Sequence, residues 1–309
     1  MTRLLDCVIV GGGPAGLSVA LGLCRVRRTA VILDSAEYRN AHSPEMHNVL
    51  TWDHQNPAAY RAAALRQIVD GRYDTVQYAQ TRVESVVQDG EGVFVATDST
   101  GTTWLGRTLV IATGITDVMP GIPGFRECWK NMNIYHCPFC HGYENSGAES
   151  AAIIAVDNMA SPMGAHFAKL FSRFANKIAV YTHGNEAIEP TFAAVVAANP
   201  AIQLDHRRLA RLIPSAEPGG KPSVQLETGE VVTHDFFSHQ PTASPNIAFA
   251  KGLNLALADS QTELKTDQPF FQTNVPGCFA LGDIASPFRT VTAAVSAGSA
   301  VAGGIANRL

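Results

Sequence analysis

The chain has 309 residues, 46% of them hydrophobic and 16% charged, with a formal net charge of −4. That length suits two domains of roughly 100 to 200 residues each, and so small a net charge excludes a nucleic-acid surface or a polybasic membrane patch, leaving a small ligand. No segment approaches the ~20 uninterrupted apolar residues of a spanning helix. Met1-Thr2-Arg3-Leu4-Leu5-Asp6 leads into a strand without the apolar core of a secretory leader, so a soluble, cytoplasmic protein is expected.

The first predicted element is a buried strand at Cys7-Val8-Ile9-Val10, followed without a spacer by Gly11-Gly12-Gly13-Pro14-Ala15-Gly16. A helix from about Pro14 to Val26 and a second strand, Ala30 to Leu33 ending at Asp34, come next. Gly11 allows a tight turn, Gly13 lets the backbone approach a pyrophosphate, and Gly16 lets the helix pack close on the strand. The free N–H groups and dipole of the first turn, at Pro14 and Ala15, favour an anion. Asp34 falls where a carboxylate accepts hydrogen bonds from a ribose diol. A glycine loop alone is a weak signal; strand, loop, helix, strand and acid in that order predict a dinucleotide site.

Further on, Leu109-Val110-Ile111-Ala112-Thr113-Gly114 is another apolar strand ending in small residues, and Cys137-Pro138-Phe139-Cys140 is followed at once by His141. Two thiols at that spacing can close into one disulfide or make half of a zinc site, and the second needs two further ligands from another cluster. The remaining cysteines, Cys7, Cys24, Cys128 and Cys278, stand singly in mostly apolar settings that read as core. No metal site is therefore assigned. In a reducing compartment a paired thiol motif is catalytic rather than structural. Pro and Gly predict hinges at Met119–Gly124 and Gln240–Pro245, and a hairpin loop at Glu217-Pro218-Gly219-Gly220.

Near the C-terminus, Thr273 to Asp283 resembles the second FAD fingerprint of two-dinucleotide-binding flavoproteins, in which a strand ends in Gly282-Asp283 and the acid holds the ribityl chain. Taken alone, Asp283 reads better as a solvated turn acid. The Ala-, Gly- and Ser-rich helix after it, from about Val291 to Asn307, points its N-terminus at the flavin in that family, and Leu109 to Gly114 is similar to the strand that closes the first FAD segment. With the CxxC between these landmarks, essentially the whole chain resembles the low-molecular-weight thioredoxin reductases. The resemblance implies an α/β fold of the two-dinucleotide-binding-domain flavoprotein kind. A split FAD Rossmann-like domain spans 1–117 and 243–309, and an inserted, degenerate NADPH-type domain spans 118–242 and carries the CxxC. It also implies FAD as cofactor, held by Gly11, Gly13, Pro14, Ala15, Gly16, Asp34, Asn48, Thr113, Gly114, Gly282, Asp283 and Val291, and a homodimer.

The departures from that family concern the inserted domain. In Ala152 to Pro162, Ala155 and Asp157 stand at the two glycine positions of the expected NADPH loop. A Cβ there obstructs the pyrophosphate, and the Asp157 carboxylate faces an anion. Ser161-Pro162 puts a proline where the next helix begins, tolerated only in the first turn. After Lys177 to Tyr181 the arginines that grip a 2′-phosphate are replaced by Thr182-His183-Gly184-Asn185-Glu186, and His206-Arg207-Arg208, more than twenty residues later, reads as an exposed basic turn.

A chain that takes no hydride from NADPH fits an offshoot of the family that runs in reverse, the FAD-dependent dithiol oxidases similar to fungal gliotoxin oxidase. These close disulfides in small sulfur-containing natural products, with O₂ as acceptor. Met46-His47-Asn48-Val49-Leu50-Thr51-Trp52-Asp53-His54 and Tyr135 to Glu144 resemble that group more than true reductases. The resemblance makes Cys140 the flavin-side sulfur, Cys137 the sulfur that exchanges with substrate, His141 the acid/base with Glu144 to orient it, and His136 a weaker candidate for the same task. A lone histidine is more often structural. Trp52, His54 and Phe139 line the substrate cleft in this reading, with surface packing as the alternative. Competing classes are a disulfide reductase with an unusual donor and a flavin-bound redox sensor.

Overall fold

An apolar run stays buried only with neighbours on both sides, and Leu4–Val10 (β1) has them. It lies parallel to Ala30–Asp34 (β2) on one side and Thr103–Ile111 (β6) on the other. A computed structural model describes residues 3–309; Met1 and Thr2, the start of the stretch read as free of a leader, lie outside the described residues. Between β1 and β6 the chain adds Pro14–Arg25 (α1), Pro57–Val69 (α2), Val76–Gln80 (β3), Val83–Gln88 (β4) and Phe94–Asp98 (β5), and Ile115–Val118 (β7) follows. The sheet order is β3-β2-β1-β6-β5-β4, with β4 and β5 forming an antiparallel hairpin that joins β6.

The chain leaves this first unit after Thr116 and returns at Ala243; Asp117–Thr242 form a second unit. Its elements are Phe125–Lys130 (α3), Ile134–Tyr135 (β8), Ala151–Ile154 (β9), Pro162–Phe171 (α4), Ile178–Tyr181 (β10), Glu189–Ala198 (α5), Ile202–Asp205 (β11), Leu209–Ile213 (β12), Ser223–Leu226 (β13), Val231–Thr233 (β14) and Phe236–Ser238 (β15). The parallel sheet β11-β10-β9-β15-β8 is buried on both faces. Alternate residues of β9 divide between them, as the two-residue period requires: Ala151 and Ile153 meet Phe167, Phe171 and Phe192 of α4 and α5, while Ala152 and Ile154 meet Phe125, Leu212 and Leu226. Glu217–Gly220 does lie in the hairpin connection between antiparallel β12 and β13.

Met119–Gly124, expected as a hinge, packs inside this second unit. Ile122 is buried, Leu212 donates its N–H to the Pro123 carbonyl at 2.8 Å, and Gly124, at φ 80°, approaches the Leu212 carbonyl closely enough that a Cβ would sit 1.9 Å from it. Proline and glycine mark irregular backbone here, pinned rather than free.

The returning chain supplies Thr242–Pro245 (β16), Cys278–Ala280 (β17) and Val291–Arg308 (α6) to the first unit. Strand β17 adds to the sheet parallel to β6, Cys278 opposite Leu109. Helix α6 packs on α1, and its small residues serve that contact: a Cβ at Gly298 would lie 2.4 Å from Ser18 Cβ, and Ser18 donates its hydroxyl to the Val295 carbonyl at 2.7 Å.

Candidate active site

The glycine loop runs from the end of β1 to the start of α1. Gly11 holds φ 109°, and a Cβ there would lie 2.4 Å from the Ala112 carbonyl oxygen; one at Gly16 would lie 2.0 Å from the Gly11 oxygen. Both glycines are thus required by close backbone approach. Gly13 differs. It caps α1 with ordinary extended backbone (φ −74°), contributes no side-chain cap, and faces open space, with nothing within 4 Å of where a Cβ would stand. Pro14 opens the helix and Ala15 follows in the first turn. An uncapped helix N-terminus facing open space, which a single methyl would begin to fill, fits a phosphate.

Asp34, at the end of β2, is 97% buried and already well partnered. It accepts a short hydrogen bond from the Tyr38 hydroxyl, one from Tyr78 at 3.3 Å and one from the Ala36 N–H at 3.2 Å. Arg61 stacks over the Tyr38 ring at 3.8 Å and donates to Asn40 Oδ1 at 2.9 Å. Burial, then the Asp34 carboxylate, pushes the Tyr38 hydroxyl pKa up, and the same causes take Tyr78 to about 12, so both stay donors. These residues escaped the sequence reading. Tyr78 reaches Asp34 only through the β2–β3 pairing, which no local pattern reveals.

Asp283 lies in a single helical turn, Gly282–Ile284, after β17, and pairs with Arg39 at 3.3 Å. Gly282 has φ 76°, and a Cβ on it would lie 3.1 Å from Ala15 Cβ. The sequence-separated loop and Gly-Asp turn therefore meet. Thr113 and Gly114 follow β6 and are tied to the returning chain by Asn246: Thr113 Oγ1 donates to the Asn246 carbonyl (2.7 Å), Asn246 Nδ2 to the Thr113 carbonyl (3.1 Å), and the Asn246 N–H to Gly114 (3.2 Å). Val291 begins α6, whose N-terminus Thr290 caps by accepting from Ala293. Asn48 sits at φ 62° in a loop, donating its N–H to Asp53 at 2.7 Å. Taken together, the open helix terminus, the buried acid and the Gly-Asp turn fit FAD.

In the second unit, Cys137 and Cys140 are joined as a disulfide directly after β8. The Cys137 carbonyl accepts the N–H groups of both Cys140 and His141 at 3.1 Å, which folds the motif into a turn. Phe139, between the two sulfurs, is 68% exposed. The His141 ring lies 5.5 Å from Tyr135, and Glu144 accepts the Gly142 N–H at 3.3 Å. Tyr135 donates to Asn145 at 2.7 Å; burial, then the Glu144 charge, raises its hydroxyl to about 12. His136 rests against Trp129, ring centres 5.4 Å apart. The other cysteines are buried, and burial pushes Cys7, Cys128 and Cys278 to about 12, which leaves them inert as nucleophiles. Trp52 stands edge-on to Tyr60 at 5.4 Å.

The stretch at the position of a second nucleotide loop differs from the first. Ala155 is fully buried, and Asp157 adopts φ 46°, a backbone suited to glycine. Pro162 is the first residue of α4, and Ser161 caps that helix itself, accepting from the Met163 N–H at 3.2 Å while donating to the Asn158 carbonyl at 2.6 Å. The basic run His206-Arg207-Arg208 is, as expected, a turn between β11 and β12, with Arg207 and Arg208 exposed. Tyr181 and Asp205 are register partners in the parallel sheet, so the run lies beside Thr182–Gly184 despite its distance in sequence. Thr182 and His206 bond at 3.0 Å, His206 pairs with Glu189 at 2.8 Å, and Arg207 is held by Asp205 and Glu230, each at 2.6 Å.

A family model described as pyridine nucleotide-disulphide oxidoreductase matches residues 5–298. A protein named thioredoxin reductase aclD from Aspergillus oryzae is 40% identical over 307 residues, covering 99% of this chain and 96% of the relative. Thioredoxin reductase sirT from Leptosphaeria maculans is 38% identical, covering 98% and 93%. Among solved structures, an oxidoreductase from Agrobacterium tumefaciens matches with a TM-score of 0.87 at 29% identity, covering 99% of this chain and 98% of that one. HlmI matches with a TM-score of 0.86 at 26% identity, covering 100% and 94%.

Proposed function

The chain belongs to the pyridine nucleotide-disulphide oxidoreductase family, and on that premise we propose that it is an FAD-dependent dithiol oxidase. Its substrate is a small natural-product dithiol of the epidithiodiketopiperazine kind, with O₂ as acceptor and H₂O₂ as by-product. Family and relatives make it a flavin-dependent oxidoreductase acting on thiols, with FAD as cofactor. The observation that carries the finer reading is the asymmetry of the two nucleotide loops. The α1 terminus at Gly13 is open, whereas the α4 terminus is capped by Ser161 and preceded by Ala155 and Asp157. A phosphate at α4 must displace the Ser161 hydroxyl and face the Asp157 carboxylate.

In this reading a substrate thiolate attacks Cys137 Sγ and expels the Cys140 thiolate. The second substrate thiolate then attacks the mixed disulfide, closes the substrate ring and expels Cys137. Two electrons then reside on the Cys137–Cys140 pair, and the two substrate protons must be handled nearby. His141, whose backbone N–H donates to the Cys137 carbonyl, is assigned that transfer, with Glu144 to orient it. FAD held at the 11–16 glycine loop, Asp34 and Asp283 would supply the two-electron acceptor linked to O₂, so that one dithiol and one O₂ would become one disulfide and one H₂O₂. Cys140 is assigned as the flavin-side sulfur, and the enzyme as a cytoplasmic homodimer.

The relatives' printed names favour a second reading, a thioredoxin or other disulfide reductase, here with an unusual donor. Anaerobic stopped-flow mixing separates the two. A small dithiol is expected to bleach the flavin, and air to restore it with one H₂O₂ per disulfide, while NADPH and NADH leave it oxidised. Rapid saturable bleaching by NADPH with dithiols inert overturns the oxidase reading.

A further inference from the structure

The loop after β2 carries a second constellation of candidate ligands. Met46 and Gln55 form an antiparallel bridge, with Met46 N–H donating to the Gln55 carbonyl at 2.8 Å and His54 N–H to the Met46 carbonyl at 3.0 Å. The bridge brings together three residues spread over ten positions, Glu45, His47 and His54, whose ligand atoms lie within 4.8 Å of one another. One carboxylate oxygen, Glu45 Oε2, stands 3.7 Å from His47 Nε2 and 3.6 Å from His54 Nδ1. We propose that Glu45, His47 and His54 form a Zn²⁺ site on this loop.

Three observations support the assignment. Zn–N and Zn–O bonds of ~2.0–2.1 Å place tetrahedral ligands roughly 3.3–3.4 Å apart, so the two measured edges to Glu45 are already within a few tenths of an ångström of coordination geometry. The third edge closes by rotation of the His54 side chain, which is 56% exposed. His54 also has the outer partner that zinc-bound histidines use: its Nε2 lies 3.3 Å from Asp53 Oδ2, so the tautomer donating there presents the Nδ1 lone pair to the Glu45 side. Asp53 is itself fixed by the Asn48 N–H at 2.7 Å. The donor set selects the ion. Two imidazoles and one carboxylate suit a borderline cation over Ca²⁺ or Mg²⁺, and three protein ligands leave a fourth position for water.

The test is isothermal titration of Zn²⁺ into the FAD-loaded enzyme with its disulfide oxidised, so that no thiolate competes. One Zn²⁺ per chain is expected. Glu45→Gln and His54→Ala should each weaken binding at least tenfold, and Asp53→Asn roughly tenfold, with the flavin absorbance unchanged as a check on folding. Co²⁺ as a probe should give the visible bands of a four-coordinate N/O site without a thiolate charge-transfer band. No Zn²⁺ uptake, uptake equal in all variants, or a thiolate signature with Co²⁺ overturns the site.

Discussion

Gly11 and Gly13 stand two residues apart in one loop, and substituting each by alanine should have opposite consequences. At Gly11 the backbone holds φ 109° and the new Cβ lies 2.4 Å from the Ala112 carbonyl oxygen. Left-handed backbone costs roughly 1–2 kcal/mol for a residue with a Cβ and overpacking roughly 1–3 kcal/mol. Gly11→Ala should therefore destabilise the apoprotein by about 2–5 kcal/mol, a fall in Tm of roughly 4–20 °C for a unit of this size. At Gly13 the backbone is ordinary and the space open, so Gly13→Ala costs the fold only its preference for glycine at a helix N-cap, below about 1 kcal/mol. Its methyl does obstruct the approach of a pyrophosphate to the α1 terminus. Losing one charge-assisted hydrogen bond, about 1.5–3 kcal/mol, weakens FAD binding by roughly 10- to 150-fold. Calorimetry of the apoproteins and fluorescence titration with FAD measure the two quantities separately. If Gly13→Ala loses as much Tm as Gly11→Ala, or binds FAD as tightly as the parent, the loop is not the phosphate site.

The thiols should also prove unequal: Cys137→Ser should retain a long-wavelength absorbance band from Cys140 thiolate beside the flavin, Cys140→Ser should lack it, and a fully active Cys140→Ser enzyme refutes the assignment. Ser161→Ala removes the α4 cap and should cost about 1 kcal/mol in urea unfolding, yet NADPH should still fail to bleach the flavin, because Ala155 and Asp157 remain; bleaching restored by this one change refutes the account of the second loop. His234, buried between Tyr181 and Ser150, is lowered by burial from 6.5 to about 4. The folded state stays neutral where the unfolded chain takes up a proton, so stability falls as pH drops through 6.5 and levels off below about 4. The loss from pH 7.5 to 4.5 is about 2.5 kcal/mol; His234→Gln should lack that part of the slope, and equal slopes in both proteins refute the shift.

The residues themselves show which parts of the fold were legible. The strand, glycine loop, helix and acid from Cys7 to Asp34 could be read because each signal is local: α1 and β2 lie within a residue of the expected bounds, and β1 begins three residues earlier, at Leu4. What surrounds Asp34 could not. Tyr78 reaches it from 44 residues away through the β2–β3 register. The reading of His206–Arg208 as an exposed basic turn holds, but its place beside Thr182–Gly184 was not legible, because β10 and β11 end side by side only through their pairing. Arg207 there carries its own carboxylates, Asp205 and Glu230, which hold its guanidinium charged and engaged. Glu45, His47 and His54 were hidden likewise, since only the Met46–Gln55 bridge makes them neighbours.

In the inserted unit the loop after β9 and the disulfide stand on different strands. The CxxC follows β8, at one edge of the five-stranded sheet, where β8 pairs with β15, Phe237 opposite Ile134. The second loop follows β9, on the far side of β15; the body of its helix α4 packs through Phe167 and Phe171 on the face that also takes Tyr135 of β8, but the loop meets only the Ser161-capped end of α4, opposite the end that carries Phe171. Substitutions at Ala155, Asp157 and Ser161 therefore alter one strand end and one helix terminus, while β8 keeps its partner and its apolar bed of Phe125, Ile154 and Phe237. With the loop and the disulfide on separate strands, changes in the loop can leave the geometry of the disulfide intact. Substitutions that disturb β15, such as Phe237→Ala, should harm the thiol site, whereas those at the α4 terminus should not; comparing the rates of disulfide reduction by a small dithiol in Phe237→Ala and Ser161→Ala tests this, and equal losses in both would refute the separation.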